Sequence, residues 1–214
     1  MARINVGCGM TPTAGWVNVD NSLSIRLASL PNWIVAASTQ IGLIDRAQRA
    51  YIGFCRRENI GWCNAVKRLP CKDESVEVLY SSHMLEHLDQ QEAHQFLKEA
   101  YRVLQKGGVM RLAVPDLGQI IRDYVEDGNG DRFMESLHTC VPKPKSFRSR
   151  LKLAMVGPRQ HHWMYDEASL CSLLKRSGFQ NARALKAGET TIPDPGPLNL
   201  AERQEESIYV EAVK

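Results

Sequence analysis

The sequence predicts an α/β fold, a doubly wound and mostly parallel sheet with a shortened first crossover. Three observations carry the prediction. Residues 68–117 read as strand, helix and strand, about the length a parallel crossover unit needs. A short strand rich in branched residues, 3–6, runs straight into the turn Gly7-Cys8-Gly9. A second strand, 16–19, then ends on Asp20.

Taken in order, the elements are as follows. Glycines at 7 and 9 let a backbone approach a ligand without a Cβ in the way. A dinucleotide fingerprint fails here, because Pro12 stands where G-x-G-x-x-G needs its third glycine and has no N–H to offer a pyrophosphate. Asp20 also follows the glycines sooner than the ~20 residues usual for NAD. Only seven residues, 10–16, separate Gly9 from Val17, so the first crossover helix is a single turn or missing. Residues 38–57 read as one amphipathic helix with Leu43, Ala47, Ala50, Tyr51 and Phe54 on its buried face. The apolar stretch 23–37 before it reads as another core segment, with a cap over the cofactor or a homodimer contact as the alternative. Residues 60–65 are the third strand.

The central unit follows. Val76, Val78 and Tyr80 alternate along a strand that ends in Ser81, Ser82 and His83. Asp89 with Glu92 has the spacing of a capping box, and Ala93, Phe96, Leu97, Ala100 and Leu104 form the buried face of the helix that starts there. Gly107 and Gly108 are read as its C-cap. Residues 109–114 are the next strand, and 116–126 the next helix. In a doubly wound sheet ligands bind at the carboxyl ends of the strands, so Ser81, Ser82, His83 and Asp116 are placed to face substrate. Residues 127–131 are a turn-rich break without the spacing of a Ca²⁺ loop. Asp166 caps a helix ended by Gly178, and 179–185 and 207–213 are the final strands. Between them, 192–197 is a proline-rich loop.

These pieces also carry a resemblance. Leu69-Pro70 and polar residues, then HMLEHL at 83–88, RVLQKGG at 102–108 and VPDL at 114–117 resemble the second half of a class I S-adenosylmethionine (SAM) methyltransferase domain. The match is most similar to the small type-11 group. INVGCG at 4–9, GWVNVD at 15–20 and LLKRSGF at 173–179 extend it over most of the chain, least clearly over 21–62 and 127–159. The resemblance implies a Rossmann-like sheet of seven strands with the last antiparallel, one methyltransferase domain over 1–214, and SAM as cofactor. It implies cofactor contacts from Gly7, Cys8 and Gly9, from Asp20 to the ribose hydroxyls, and from Ser81 and Ser82. It also implies an adenine contact at Asn64, commonly Asp in the family, shared with the backbone near Ala65.

The bulk properties narrow the partners. A net charge of +3 over 214 residues does not by itself argue for nucleic acid. No apolar run approaches the ~20 residues of a membrane helix, and the N-terminus runs directly into a strand, so a cytoplasmic protein without signal peptide is expected. The six cysteines form no C-x-x-C pair, and Glu86-His87 lacks the order of H-E-x-x-H, so no metal site is expected. Lys143, Lys145, Arg148, Arg150 and Lys152 form a basic run without acids, within a candidate substrate lid at 127–165. The reading is SAM-dependent methyl transfer to a small-molecule, lipid or glycan-precursor acceptor. Candidate bases are His83, whose intrinsic pKa suits the task, Asp116 and His162. Two alternatives are a SAM-binding module without catalysis, and an RNA methyltransferase or binder using 143–152.

Overall fold

The computed structural model describes residues 2–140 and 160–214. Among these residues seven strands form one sheet in the order β3-β2-β1-β4-β5-β7-β6. They are β1 (Ala2–Val6), β2 (Val17–Asp20), β3 (Gly61–Trp62), β4 (Val76–Ser82), β5 (Leu104–Pro115), β6 (Gln180–Leu185) and β7 (Ser207–Val213). The pairs from β3 to β5 are parallel, and β7 runs antiparallel to both β5 and β6. This is the doubly wound, mostly parallel sheet with an antiparallel last strand that the sequence predicts. The order reverses direction between β1 and β4, the point where such sheets bind ligands.

The helices are α1 (Leu23–Ala28), α2 (Asn32–Gln40), α3 (Arg46–Arg57), α4 (Gln90–Val103), α5 (Leu117–Asp127), α6 (Gly130–Ser136) and α7 (Glu167–Arg176). A 3₁₀ turn, Leu85–His87, joins β4 to α4. The capping box of α4 forms as expected: the Asp89 carboxylate accepts from Glu92 N at 2.8 Å, and Asp89 N donates back to Glu92 at 3.2 Å. Ala93, Phe96, Leu97 and Ala100 are buried in the main core with Leu170 and Leu174 of α7; Leu104, expected on the same helix face, is buried too but opens β5.

The opposite face of the sheet is covered differently. Val78, Tyr80, Val109, Ala113 and Tyr209 are covered by Ile192 and Leu198, from the connection between β6 and β7. An irregular segment lies where a layered α/β fold normally puts a helix. Its backbone groups need partners, and a buried ion pair supplies them. Arg111 of β5 donates to Glu189 O at 2.9 Å, to Leu200 O at 2.8 Å and to Glu211 Oε1 of β7 at 2.6 Å. The Glu211 carboxylate also accepts from Thr190 Oγ1 and Thr191 N, each at 2.7 Å.

The first crossover has no helix. Residues 10–16 form a tight loop pinned from inside: the Asn5 side chain donates to Thr11 O at 3.0 Å and Thr13 Oγ1 at 3.1 Å, and Asn18 exchanges bonds with Thr13 N and O at 2.8 and 2.9 Å. Thr11 Oγ1 donates to Glu202 at 2.9 Å, which ties this loop to the β6–β7 connection.

Three local expectations need correction. Gly107 and Gly108 do not cap α4, which ends at Val103; they form a bulge within β5, where Leu104 pairs with Val76 and Val109 with Val78. A Cβ on Gly108 would stand 3.1 Å from Val76 O, so the glycine gives the bulge room. The helix expected over 38–57 is two helices, broken at Gly42 with its φ of 73° and restarted where Asp45 accepts from Gln48 N at 2.7 Å. The buried residues of α3 are Ile52 and Cys55, while Leu43, Ala47 and Ala50 are exposed. The third strand is Gly61–Trp62, shorter than 60–65.

Candidate functional site

The carboxyl ends of β1, β2 and β4 meet at one edge of the sheet. The turn after β1 is held by β2: Gly7 N and Cys8 N both donate to Val19 O, at 2.8 and 3.2 Å. Gly7 and Gly9 both have positive φ, 73° and 50°, but their openness differs. A Cβ on Gly7 would meet Met84 Cγ at 2.7 Å, so this glycine makes room for Met84. Around Gly9 nothing lies within 4 Å of a Cβ, so the space beside its backbone is open. Tyr51 Oη donates to Gly9 O at 3.2 Å and braces the turn from α3. Burial, then the charge of Asp20, pushes the Cys8 thiol up to about 12, which keeps it protonated and inert.

Asp20 sits beside this turn. Its Oδ2 accepts from Gly9 N at 3.2 Å and its Oδ1 from Ser22 N at 2.7 Å. Each carboxylate oxygen has a further lone pair for a ligand hydroxyl. Asn64 behaves otherwise than the sequence implies. Its Oδ1 accepts from Val66 N at 3.2 Å and Lys67 N at 3.3 Å, closing a turn, so the donor Nδ2 is the group left for a partner. Ala65 lies next to it, half-buried. On β4, the Ser81 and Ser82 hydroxyls are buried with no hydrogen-bond partner among the described residues. Orphan hydroxyls at a strand end of this kind suit a bound polar ligand.

His83 follows, with a φ of 47°, an uncommon conformation for a non-glycine residue. Its Nε2 is 2.8 Å from Ser207 Oγ, and its Nδ1 is 3.4 Å from Glu86 Oε1. Glu86 is fully buried, and neither carboxylate oxygen makes a hydrogen bond to a described residue. Asp116 ends β5 and precedes α5, with Oδ2 3.2 Å from Arg122 Nη2. His162 is exposed, held by its backbone N–H donating to Glu86 O at 2.7 Å. The strand ends thus bring His83 and Ser81–Ser82 together, and Glu86 O links His162 to them.

Sequence reading singles out the pair His161-His162 ahead of α7 but misses the histidines that His161 packs against, His87 and His138. His161 rings lie edge-on to those of His87 and His138, with centroids 5.1 and 5.2 Å apart. Burial holds the His161 imidazole below its ordinary range, against the pull of Glu86. It also missed Trp62, exposed at the end of β3 with the Arg26 guanidinium 3.9 Å from its ring centroid. The basic run at 143–152 and residues 141–159 of the lid expected at 127–165 lie outside the described residues. Among the described residues no helix is long and apolar enough to cross a membrane.

Comparison with known proteins agrees with this geometry. Residues 38–112 match a family model described as a methyltransferase domain. No curated protein matches the chain in sequence. Among solved structures it is similar to a SAM-dependent methyltransferase of Thermotoga maritima, described as a possible histamine N-methyltransferase, at 16% identity over 100% of this chain and 82% of that one, with a TM-score of 0.54. A SAM-dependent methyltransferase of Archaeoglobus fulgidus aligns at 13% identity over 100% and 86% of the two chains, with a TM-score of 0.49. The family match covers about a third of the chain, and the sheet order with its antiparallel last strand is the Rossmann-like fold of the Thermotoga protein.

Proposed function

We propose that this chain is a SAM-dependent methyltransferase acting on a small-molecule, lipid or glycan-precursor acceptor, and that it holds SAM at the joined ends of β1, β2 and β4. The observation that carries the reading is the convergence there of an open glycine turn, a carboxylate tied to that turn, and two buried hydroxyls without partners. The residues present fit the cofactor. The backbone of Gly7, Cys8 and Gly9 lies against its methionyl part. Asp20 accepts from the ribose hydroxyls, Asn64 and the backbone of Ala65 face the adenine, and Ser81 and Ser82 close the pocket from β4. When bound, SAM supplies a methyl group already activated by its sulfonium. The chain's own work is then to align the acceptor and exclude water.

Three side chains are candidates for the acceptor's proton. Both His83 nitrogens face protein groups, Ser207 on one side and Glu86 on the other. His83 therefore acts by relay through the Ser207 hydroxyl, while Asp116, paired with Arg122, and the exposed His162 are the candidates for direct contact. The test is calorimetric titration of the purified protein with SAM and S-adenosylhomocysteine, with NAD as control and Asp20→Ala in parallel. Saturable binding of the SAM pair alone, weakened at least about 10-fold by Asp20→Ala through the lost charge-assisted bonds, is the expected result. No saturable binding would overturn the cofactor site. Release of S-adenosylhomocysteine over a panel of hydroxyl and amine acceptors, histamine among them, then identifies the acceptor class.

A further inference from the structure

A fully buried carboxylate is costly unless something pairs with it. Both oxygens of Glu86 lack a hydrogen bond among the described residues, and so does the buried Nδ1 of His161. Imidazoles surround this carboxylate. His87 Nε2 is 3.9 Å from Glu86 Oε1, and His83 Nδ1 is 3.4 Å from the same atom. Glu86, His87 and His161 each place one ligand atom so that all lie within 4.8 Å of one another.

The hydrogen bonds decide what His87 offers. Its Nδ1 lies 3.0 Å from Gln160 O. A carbonyl only accepts, so Nδ1 carries the hydrogen, and a neutral His87 turns the lone pair of Nε2 toward the Glu86 carboxylate. Two lone pairs facing each other repel unless a cation lies between them. A proton does not fill that role well, because 3.9 Å is too long for a hydrogen bond. A metal ion does. Ligand atoms about 2.1 Å from a tetrahedral ion stand about 3.4 Å apart, so a contraction of well under 2 Å completes the set. The bond from His87 to the Gln160 carbonyl is the outer-shell contact that orients a metal-bound imidazole.

The backbone holds the third ligand in place. His162 N and Trp163 N both donate to Glu86 O, at 2.7 and 3.2 Å, and His161 N donates to His138 O at 3.0 Å. These bonds seat the 161–163 segment on the 3₁₀ turn that carries Glu86.

We propose that Glu86, His87 and His161 bind a divalent transition-metal ion of the zinc class, beside the carboxyl end of β4. Two imidazoles and one carboxylate suit Zn²⁺, Mn²⁺, Fe²⁺ or Co²⁺ better than Ca²⁺ or Mg²⁺. The His87 side chain is 36% exposed, so the cluster opens outward on that side. Three protein ligands leave a coordination position for a water molecule or for an oxygen of the acceptor. Such an ion selects acceptors with a metal-binding oxygen, a hydroxyl beside a carbonyl or a carboxylate. This last role rests on the acceptor reading above; the binding of the ion does not. The sequence argued against a metal because Glu86 stands in the wrong place for H-E-x-x-H and no third ligand is evident nearby; the fold brings His161 from far along the chain.

Cobalt tests this without SAM or acceptor. The purified chain is freed of metal with a chelator and titrated with Co²⁺, read by visible absorption and by calorimetry, with Zn²⁺ as competitor. The expected result is one Co²⁺ per chain with the absorption of a low-coordinate nitrogen–oxygen site, displaced by Zn²⁺. His87→Ala and His161→Ala each weaken binding at least about 10- to 100-fold, the loss that even an outer-shell change brings. His94→Ala, on the exposed side of α4, leaves it unchanged. Glu86→Gln keeps the shape and removes the charge, and abolishes binding; if that variant fails to fold by circular dichroism, the partly exposed His161 carries the test. Absence of stoichiometric Co²⁺ binding, or binding indifferent to both histidine variants, overturns the proposal and leaves the SAM site untouched.

Discussion

Arg111→Met separates two views of the buried ion pair between β5 and β7. The substitution keeps an unbranched side chain against Tyr209, whose ring centroid lies 5.1 Å from the guanidinium. It removes the partner of Glu211 and two donors to the β6–β7 connection, at Glu189 O and Leu200 O. Glu211 keeps its bonds from Thr190 and Thr191, but its charge is then uncompensated. Breaking one side of a buried pair costs about 3–5 kcal/mol. For a chain of this size 1 kcal/mol is about 2–4 °C in Tm, so the loss expected is about 6–20 °C. Urea unfolding followed by circular dichroism, with calorimetry alongside, measures it. The double variant Arg111→Met/Glu211→Leu removes both charges and recovers much of the loss, because a buried pair replaced by apolar groups is often neutral. The sign with pH also follows. Burial alone would raise the Glu211 carboxyl, but the bonds from Thr191, Thr190 and Arg111 outweigh it and hold the group below the ordinary range. Its contribution is therefore present above the unfolded value of about 4.3 and is lost as pH falls through the lower folded value. The destabilisation of Glu211→Gln shrinks in acid accordingly. An Arg111→Met protein within about 1 kcal/mol of wild type, the net worth of an ordinary hydrogen bond, would refute the reasoning.

Gly7→Ala and Gly9→Ala differ only in what surrounds them. Both incur the left-handed cost of about 1–2 kcal/mol, while Gly7→Ala adds an overpacking cost of about 1–3 kcal/mol against Met84; equal denaturation midpoints would sink the assignment of Gly7 to packing. A thiol reagent at pH 8 labels the exposed Cys140 of the native chain and leaves Cys8 unmodified until denaturant is added, as mass spectrometry of tryptic peptides would read; rapid native labelling of Cys8 would contradict its burial.

Much of the fold was legible in the sequence because local and global signals agree. The 68–117 unit is the clearest case: alternation, a capping box and a helical stripe all point the same way, and each forms as expected. The glycine pair at 107–108 misled because a helix cap and a strand bulge both ask for glycine, and only the pairing of β5 with β4 tells them apart. The break in 38–57 was readable, since Gly42 and the Asp45 cap are both local signals; a stretch of apolar residues at near-helical spacing outweighed them. At the site, the glycine turn and Asp20 are close in sequence and could be paired by reading. The environment of Glu86 could not, because it is assembled by backbone bonds from 161–163. Nor could sequence tell that the Asn64 oxygen is taken up by its own turn.

The tie between Thr11 and Glu202 has a consequence for the order of folding. Those residues are 191 positions apart, and Tyr80 Oη donates to the same carboxylate at 2.8 Å. Closing so long a loop is entropically slow, and contacts of that separation form late. The loop that follows β1 thus gains this brace only once β6 and β7 have paired and brought Glu202 across. The full bracing of the glycine turn is then a property of the completed sheet, and a partly folded chain with β1, β2 and β4 in place holds that turn without it.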